Sequence, residues 1–255
     1  MRITTWNVNS LKTRLAHVLR FMAEQKPDVL CLQETKTVDA GFPADELAAA
    51  GYVHQLIRGQ PTYNGVAILS KHPLEQTTSN FTFAPTDEQA RLVSAVIAGV
   101  RVVDVYVPNG HEVGSDKYAY KLDWLARLRA EIDGLGGEQL LVCGDMNIAP
   151  ADGDTHDPFA AEGQLLCSKA ERDALLHLQA AGLTDVWRHR NPFATEFSWW
   201  DYRASGFRKN HGFRIDHHLA SQALLARVKG VKIHRDVRGW DQPSDHAPVS
   251  LDLKE

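Results

Sequence analysis

The sequence predicts an α/β protein in which strands and helices form packed layers. Apolar runs of strand length recur along its 255 residues, and stretches with helical spacing lie between some of them. No linker rich in Gly, Ser or Pro, no low-complexity tract and no short repeat divides the chain. Helices that alternate with buried strands favour a layered α/β architecture. With 44% hydrophobic residues, we expect residues 1–255 to form one domain with a large core.

Nine segments have the apolar character of strands. Several are nearly continuous apolar runs, which are typical of strands buried on both faces. In chain order the nine segments are ITTWNV, VLCLQ, VAILS, LVSAVIAGV, RVVDVYV, QLLVCGD, FSWW, RIDHHLA and VSLDL.

Three segments have the spacing of amphipathic helices. Residues 11–22 and 118–132 each place four apolar side chains on one stripe. The third, residues 168–179, begins at Ser168 with Glu171 three residues later, which predicts a capping box. Residues 149–166 are rich in Asp, Gly and Pro and predict one long surface loop, a kind of segment that often carries substrate contacts.

Cysteine usage and the N-terminal sequence predict an intracellular protein. Cys31, Cys143 and Cys167 are odd in number and lack CxxC spacing, so we expect free thiols in a reducing compartment rather than a zinc site. The N-terminus has no charged stretch followed by an apolar one, and nowhere do about 18 apolar residues run together. These features predict a cytoplasmic protein that does not enter a membrane.

Charge is unevenly distributed along the chain. The net charge is −4, but the segment from Trp187 to Trp240 holds 11 Lys and Arg against 4 Asp and Glu. That segment therefore carries +7 and leaves −11 for the remainder. This polarity suits a polyanion held on one side of the protein, although ordinary charged loops would give the same count.

Polar residues that bind metal ions or orient water stand at the ends of the apolar runs. Asn7, Glu34 and Asn109 each follow such a run, and Tyr106 lies just inside one. Asp145 and Asn147 are two residues apart and therefore lie on one face of an extended chain. Because open α/β sheets place their sites at strand ends, these side chains can converge. Taken alone, Asn7 or Asn147 is more simply explained as a turn former and Glu34 as a surface acid at the start of a loop.

Two Asp-His dipeptides occur late in the chain. They are Asp216-His217 in RIDH and Asp245-His246 in PSDHAP. A carboxylate can fix the tautomer of an imidazole, which then donates to a phosphate oxygen or carries a proton. In a chain with 12 histidines, two such dipeptides also arise by chance.

Six motifs, taken in order, resemble the exonuclease III family of DNA-repair nucleases. They are WNVNS, LQETK, GDMNIAP, FSWWDYR, GFRIDHHLAS and PSDHAPV. GDMN and SDHAP are shared across the wider endonuclease/exonuclease/phosphatase superfamily, whereas LQETK combined with FSWWDYR and RID is specific to the DNA-repair branch. The resemblance runs from Met1 to about Leu253. It implies a DNase I-like fold: a four-layer sandwich of two packed mixed β-sheets flanked by helices.

The resemblance implies a magnesium site. Glu34 is similar to the principal Mg²⁺ ligand of the family, and Asn7 and Asp245 are expected nearby, ligating directly or through water. Magnesium commonly keeps several waters and takes one or two carboxylates plus substrate oxygen, which fits an acid-and-amide cluster. We expect Mn²⁺ to substitute.

The resemblance also implies catalytic roles. Asp145 resembles the general base and Asn147 the residue that orients the attacking water. Asp216 and His246 resemble the pair that steadies the scissile phosphate, and Tyr106 a hydroxyl near that phosphate or the leaving oxygen. The residues alone leave open which group activates the water.

The same resemblance implies a DNA-binding surface. Trp199, Phe213 and Ile215 stand where the family lines a small apolar pocket for a base-free sugar. Such a pocket selects damaged sites because it excludes a base and because a baseless sugar flips at low cost. We expect Arg208 and Lys209 in the basic segment to contact phosphates without reading sequence. The expected partner is duplex DNA with abasic sites or damaged 3′ ends, bound by a monomer.

Two departures from the family pattern bear on specificity. The loop after GDMNIAP is shorter than in well-known bacterial members, and Leu165 and Leu166 stand where it approaches the sugar pocket. Asn109 replaces a longer polar residue. The balance among abasic endonuclease, 3′→5′ exonuclease and 3′-phosphatase therefore stays open. Two alternatives also remain: a phosphatase for a small phosphoester, and a catalytically silent nucleic-acid-binding regulator, which should lack members of the acid set.

Overall fold

The computed structural model describes residues 1–254, and most of its strands form two six-stranded sheets. In this part of the chain the strands, in order, are β1 (Arg2–Asn7), β2 (Val29–Gln33), β3 (His54–Arg58), β4 (Val66–Ser70), β5 (Glu75–Thr78), β6 (Leu92–Ile97), β7 (Val100–Tyr106), β8 (Leu140–Asp145), β9 (Leu183–Asp185), β10 (Trp199–Trp200), β11 (Gly212–Phe213), β12 (Asp216–Ser221), β13 (Val228–Ile233) and β14 (Val249–Leu253).

The sheets are mixed, and each contains one parallel pair in its interior. Sheet A has the order β13-β14-β1-β2-β4-β3, with β1 and β2 parallel. Sheet B has the order β5-β6-β7-β8-β12-β9, with β7 and β8 parallel. The short strands β10 and β11 form a separate antiparallel pair.

Eight α-helices are present in the described part of the chain, and the longer ones cover the outer faces of the two sheets. The eight are α1 (Leu11–Gln25), α2 (Ala44–Ala49), α3 (Asp116–Leu135), α4 (Pro158–Ala161), α5 (Lys169–Gln179), α6 (Val186–Arg190), α7 (Gly206–Lys209) and α8 (Gln222–Leu225). The capping box predicted at Ser168 and Glu171 opens α5, and the predicted helices 11–22 and 118–132 correspond to α1 and α3. No helix among residues 1–254 combines the length and apolar character needed to cross a membrane.

Alternation of side chains along the strands produces four layers. Residues such as Ile3 of β1 and Leu141 of β8 face one another in a core between the sheets. The next residues in these strands, Thr4 and Val142, face outward, and Val142 packs under α3 and α5 while sheet A packs under α1 and α2. The order helix, sheet, sheet, helix confirms the predicted four-layer sandwich.

The sequence missed five strands. One is the two-residue strand β11, and the other four, β3, β5, β9 and β13, are the edge strands of the two sheets. Their side chains are partly exposed or the strand is only three residues long, so none of them has the apolar run that marks an inner strand. The predicted runs 92–100 and 101–107 are a hairpin, because the chain turns at Ala98 and Gly99, where φ is +47° and +78°.

The predicted surface loop 149–166 is only partly at the surface. It contains a short 3₁₀ turn, Asp152–Asp154, and α4. Asp154 is fully buried and accepts hydrogen bonds from Arg214 Nε at 2.7 Å and Arg188 Nη2 at 2.6 Å. A carboxylate with two guanidinium partners fixes this loop to the body of the protein, which the composition of the segment did not indicate.

Candidate active site

The site lies at one end of the interface between the two sheets. Asn7, Tyr106 and Asp145 end β1, β7 and β8, while Asp216 begins β12, which runs antiparallel to β8. Tyr106 and Asp216 each pair with Asp145 in the sheet B register. Because the strands meet at one edge and these residues face the inner core, their side chains converge there.

An amide links the two sheets at the centre of the site. The Asn7 side chain donates to Glu34 Oε1 at 2.8 Å and to Asp145 Oδ2 at 2.9 Å. Asn7 is fully buried, whereas the Glu34 side chain is 17% exposed. Glu34 follows β2 with a left-handed φ of +51°, so its carboxylate is held at the mouth of the interface.

A second acid holds the histidine of the site. His246 Nδ1 donates to Asp216 Oδ2 at 2.9 Å, and its Nε2 lies 3.7 Å from Asp145 Oδ2. Burial opposes protonation of His246, but the carboxylates of Asp216 and Asp145 outweigh it and raise its pKa to about 10. An imidazolium with its Nδ1 occupied can donate only from Nε2.

Asp145 combines deep burial with fixed orientation. Burial raises its pKa to about 7, with the charge of His246 opposing and that of Asp216 adding to the rise. Its Oδ1 accepts from the backbone N–H of Asn147 at 2.9 Å. The preceding Gly144 has φ +139°, and a Cβ there would lie 1.9 Å from the carbonyl oxygen of Val105. Only glycine lets β8 approach β7 this closely beside the carboxylate.

Asp245, the residue before His246, is held by two hydrogen-bond donors. Its Oδ1 accepts from Asn9 Nδ2 and its Oδ2 from Trp199 Nε1, both at 2.9 Å. Burial raises the pKa of Asp245, but His246 and these two donors reverse the effect and hold it below its usual range. The Ser244 hydroxyl donates to the Asn7 carbonyl at 2.7 Å, which anchors the turn that carries Asp245 to β1.

The donor set fits a hard divalent cation. Oxygen and nitrogen atoms of Glu34, Asp145 and His246 lie within 4.8 Å of one another. Carboxylates and amides are the ligands that Mg²⁺ and Mn²⁺ prefer, and no cysteine lies in this group. In this structure Lys36 Nζ lies 2.8 Å from Glu34 Oε2, so an ammonium contacts the oxygen that a cation would bind. The Asn7 amide nitrogen faces the acids, whereas its oxygen accepts from the N–H of Asn9 at 3.0 Å.

Tyr106 lies beside the acids with its ring under a guanidinium. Arg91 Cζ is 4.8 Å from the centre of the Tyr106 ring. Burial first, and then the charges of Glu34 and Asp145, raise the pKa of Tyr106 well above its usual range, so the phenol keeps its proton and can donate.

A buried ion pair holds the loops around Asn147. Lys121 Nζ, fully buried in α3, donates to the Asn147 carbonyl at 2.7 Å, to the Asn109 carbonyl at 3.1 Å and to Glu171. Glu171 in turn accepts from the N–H of Leu166 at 3.1 Å. One lysine therefore connects the turn at Asn109, the loop after β8 and the start of α5.

An apolar cluster borders the acids. Trp199 and Ile215 line the catalytic cavity, which has a volume of about 510 Å³, and Phe213 packs on Trp199 with ring centres 5.9 Å apart. Leu165 and Leu166 belong to the same apolar cluster and line the same cavity. Leu166 is only 8% exposed and has φ +70°.

The basic segment exposes less positive charge than its sequence indicates. Arg214 is buried between Asp154 and Asp185, at 2.7 Å from each, and Arg203 pairs with Asp201. The predicted count of +7 therefore overstates the charge available to a ligand, because acids outside the segment neutralise part of it. Arg208 and Lys209 are exposed on α7; Lys209 lines a neighbouring cavity and not the catalytic one.

Sequence reasoning missed Asn9, Lys36, Arg91 and Lys121. Asn9 and Lys36 stand inside the motifs WNVNS and LQETK, so the motif boundaries already contained them. Lys121 had no signal, since a lysine on a helix is usually solvated. His217, the partner of Asp216 in the dipeptide RIDH, faces away from it: its Nδ1 accepts from Arg214 and its Nε2 donates to the Ile148 carbonyl at 2.9 Å.

Known proteins share this fold over the whole chain. A structure of the 3′ phosphatase NExo from Neisseria bound to product DNA hairpin has a TM-score of 0.97 and 40% identity, covering 100% of both chains. An AP endonuclease from Archaeoglobus fulgidus has a TM-score of 0.95 and 35% identity, also covering 100% of both. The exodeoxyribonuclease III of Haemophilus influenzae is 33% identical over 268 residues, 100% of each chain.

Fold and site together define a DNase I-like phosphoesterase of four layers. The chain belongs to the Endonuclease/Exonuclease/phosphatase family, whose pattern it matches over residues 4–246. This confirms the resemblance found in the six motifs.

Proposed function

We propose that this protein is a Mg²⁺-dependent DNA-repair hydrolase that processes damaged 3′ ends and abasic sites in duplex DNA, with Mn²⁺ able to substitute. One observation carries the proposal. A cluster of acids that fits a divalent cation shares one cavity with the apolar side chains of Trp199 and Ile215, and Phe213 packs against Trp199 from behind the cavity lining. The acids suit phosphoester hydrolysis, and the apolar side chains suit a sugar that has lost its base.

The geometry supports distinct tasks for the acids and the histidine. Asp145, with its orientation fixed by Asn7 and Asn147 and its pKa near 7, can take a proton from an attacking water. His246, held by Asp216, can donate from Nε2 to a phosphate oxygen. The Tyr106 hydroxyl is a further donor beside Glu34. A divalent cation held by Glu34, with Asn7 and Asp245 nearby, would neutralise the charge that develops on the phosphate.

We also propose that 3′-end processing is at least as efficient as internal abasic cleavage. Leu165 and Leu166 narrow the cavity beside Trp199 and Ile215. A strand that continues past the abasic sugar must pass these side chains, whereas a free 3′ end has no continuing strand. The chain is proposed to act as a monomer and as one catalytic domain over residues 1–255.

A matched set of substrates tests the proposal. Duplexes that carry an internal abasic site, a 3′-phosphate or a plain recessed 3′ end are compared at equal concentration with an inositol phosphate. We expect Mg²⁺-dependent turnover of the DNA substrates, with the 3′-phosphate processed at least as fast as the abasic site. Turnover of the inositol phosphate alone would support the small-phosphoester phosphatase, and binding of DNA without turnover would support the silent regulator.

The substitution Leu166→Gly isolates the proposed obstruction. Glycine adopts the φ of +70° readily, so this change removes the side chain without straining the backbone. We expect the rate of abasic-site cleavage to rise relative to that of 3′-phosphate removal, measured as the ratio of kcat/KM. If the parent already cleaves abasic sites much faster and the ratio is unchanged in Leu166→Gly, the obstruction is excluded.

A further inference from the structure

A second cavity shares no lining residue with the catalytic one and has no part in the chemistry described above. Its volume is about 470 Å³, and it is lined by His156, Asp157, Thr195, Phe197, Lys209, Asn210 and His211. The imidazoles of His156 and His211 stack in it, with ring centres 4.5 Å apart and planes inclined by 13°. Both histidines are exposed, so the stacked pair presents aromatic surface to solvent.

A series of rings connects this cavity to the catalytic histidine. His156 packs edge-on against Phe213 at 5.5 Å, and Phe213 lies 5.9 Å from Trp199. Trp199 lies 6.4 Å from His246. Successive ring contacts therefore run from the catalytic histidine to the stacked histidines, which places the second cavity on the side of Phe213 away from Trp199.

Two almost wholly exposed phenylalanines lie within two residues of side chains that line this cavity, Phe159 in α4 and Phe193 in a loop. Phe159 follows the lining residue Asp157 and is 91% exposed, while Phe193 precedes the lining residue Thr195 and is 96% exposed. Arg188 holds the two segments together. Its guanidinium donates to Asp154 at 2.6 Å and to the carbonyls of Pro192 and Ala194 at 3.1 and 3.0 Å.

Two basic side chains lie next to these rings and can pair with phosphates. Lys209 lines the cavity, and Arg208 beside it is exposed. Among the lining residues the one carboxylate, Asp157, accepts from the N–H of Ala160 and caps α4. Exposed aromatic rings beside basic side chains are the combination that binds unpaired nucleic acid, because every base can stack and every phosphate can pair.

We propose that Phe159, Phe193, His156, His211 and Lys209 form a binding surface for unpaired DNA, which we call the aromatic surface. It would hold the unpaired nucleotides next to the one being processed, as at a frayed or protruding end. Paired bases are already stacked in the duplex and leave these rings unused. The inference rests on the proposed DNA function, and it adds single-stranded DNA as a ligand independent of base sequence.

The double variant Phe159→Ser, Phe193→Ser tests the aromatic surface. Both side chains are almost wholly exposed, so the fold loses little on their removal. We expect its affinity for a labelled oligothymidylate of twelve nucleotides, measured by anisotropy in EDTA, to fall at least about tenfold, because two stacking partners of the bases are removed. The kcat on a fully paired hairpin with a 3′-phosphate should stay that of the parent. Leu176→Ser, which removes an apolar side chain that is 61% exposed on α5, is the matched control.

A second variant tests the stacked histidines. His211→Ala removes one ring of the stacked pair and should also weaken oligothymidylate binding more than hairpin binding. Equal affinities of parent and variants for oligothymidylate would overturn the aromatic surface, and so would an equal loss for oligothymidylate and paired hairpin. Loss of self-association in sedimentation with oligothymidylate binding intact would assign the phenylalanines to a protein contact instead. A parent that turns over none of the DNA substrates overturns the proposed function, whereas an active parent that fails to bind oligothymidylate overturns this inference alone.

Discussion

At the scale of single residues, Glu34 lines the cavity with a carboxylate that is partly exposed. We expect Glu34→Gln to raise the Mg²⁺ concentration needed for half-maximal activity and to lower kcat, because an amide is a weaker ligand for a hard cation. The fold should survive, since the side chain stays polar and the same size. Titration of activity with Mg²⁺ measures the effect, with Glu24→Gln on the exposed face of α1 as control. Unchanged activity at limiting Mg²⁺ would remove Glu34 from the site.

The substitution Asp145→Asn should affect turnover and DNA binding differently. Asp145→Asn keeps an oxygen that can accept from Asn147 but removes the proton acceptor, and loss of a general base costs about 10²–10⁴ in rate. We expect turnover to fall by that factor while affinity for a 3′-phosphate hairpin is kept, because the change removes negative charge near a phosphate. Single-turnover kinetics and a binding titration on the same variant measure the two quantities. Substantial turnover in Asp145→Asn would mean that the base lies elsewhere.

The sequence motifs identified several residues of the site, and the structure gives the contacts between them. The motifs named Asn7, Glu34, Asp145 and Asp216 as candidates, and the structure brings their side chains together at one end of the sheets. The two Asp-His dipeptides alone did not say which acid contacts which histidine, because neighbours in a strand face opposite sides. The family resemblance paired Asp216 with His246, and in the structure Asp216 Oδ2 lies 2.9 Å from His246 Nδ1.

At the scale of elements, the buried pair of Lys121 and Glu171 joins α3 to the start of α5. Lys121→Met should lower the free energy of unfolding by about 3–5 kcal/mol, because it leaves the Glu171 carboxylate buried without its partner. Urea unfolding measures this cost. Arg20→Ala, which breaks an exposed pair with Glu24, is the control and should cost about 1 kcal/mol or less. An equal loss in the free energy of unfolding for the two variants would show that the buried ion pair contributes no more than the exposed one.

The sequence predicts the buried strands well and the exposed strands poorly. Inner strands such as β2 and β4 are buried along their whole length and carry continuous apolar runs. Edge strands such as β5 are exposed on several residues, and their pairing partner, not their own sequence, makes them strands. The short helices α4 and α7 have only four residues, which is too few for a helical period to register.

At the scale of the whole molecule, the core between the sheets contains a titratable side chain. His218 alternates with Leu219 along β12 and so faces the other sheet, and neither ring nitrogen has a partner among the described residues. Burial, and then the neighbouring His217, lower the pKa of His218 to about 3, so the folded protein holds this imidazole neutral. Unfolding frees it to bind a proton below about pH 6.5. Its contribution to stability is therefore present above that pH and is lost as the pH falls toward 3.

The variant His218→Leu tests this effect against the parent. At pH 7 the two proteins should differ little, since an apolar side chain of similar size fits a site that offers the ring no hydrogen bond. At pH 5 the free energy of unfolding of the variant should rise by about 2 kcal/mol relative to that of the parent. This difference is the cost of keeping the histidine neutral at that pH. Urea unfolding of both proteins at the two pH values measures the effect. The contributions of all other titrating groups cancel in the difference between parent and variant. The same difference at both values would contradict the prediction.

The position of the site between the two sheets has a consequence for how activity arises during folding. Asn7 and Glu34 come from sheet A, and Tyr106, Asp145 and Asp216 come from sheet B. A chain in which both sheets have formed but have not docked holds two incomplete halves and no working centre. Recovery of catalysis after dilution from denaturant should therefore follow the docking of the halves, later than the recovery of strand and helix signal. Turnover in this fold is thus a direct reporter of the last step of assembly.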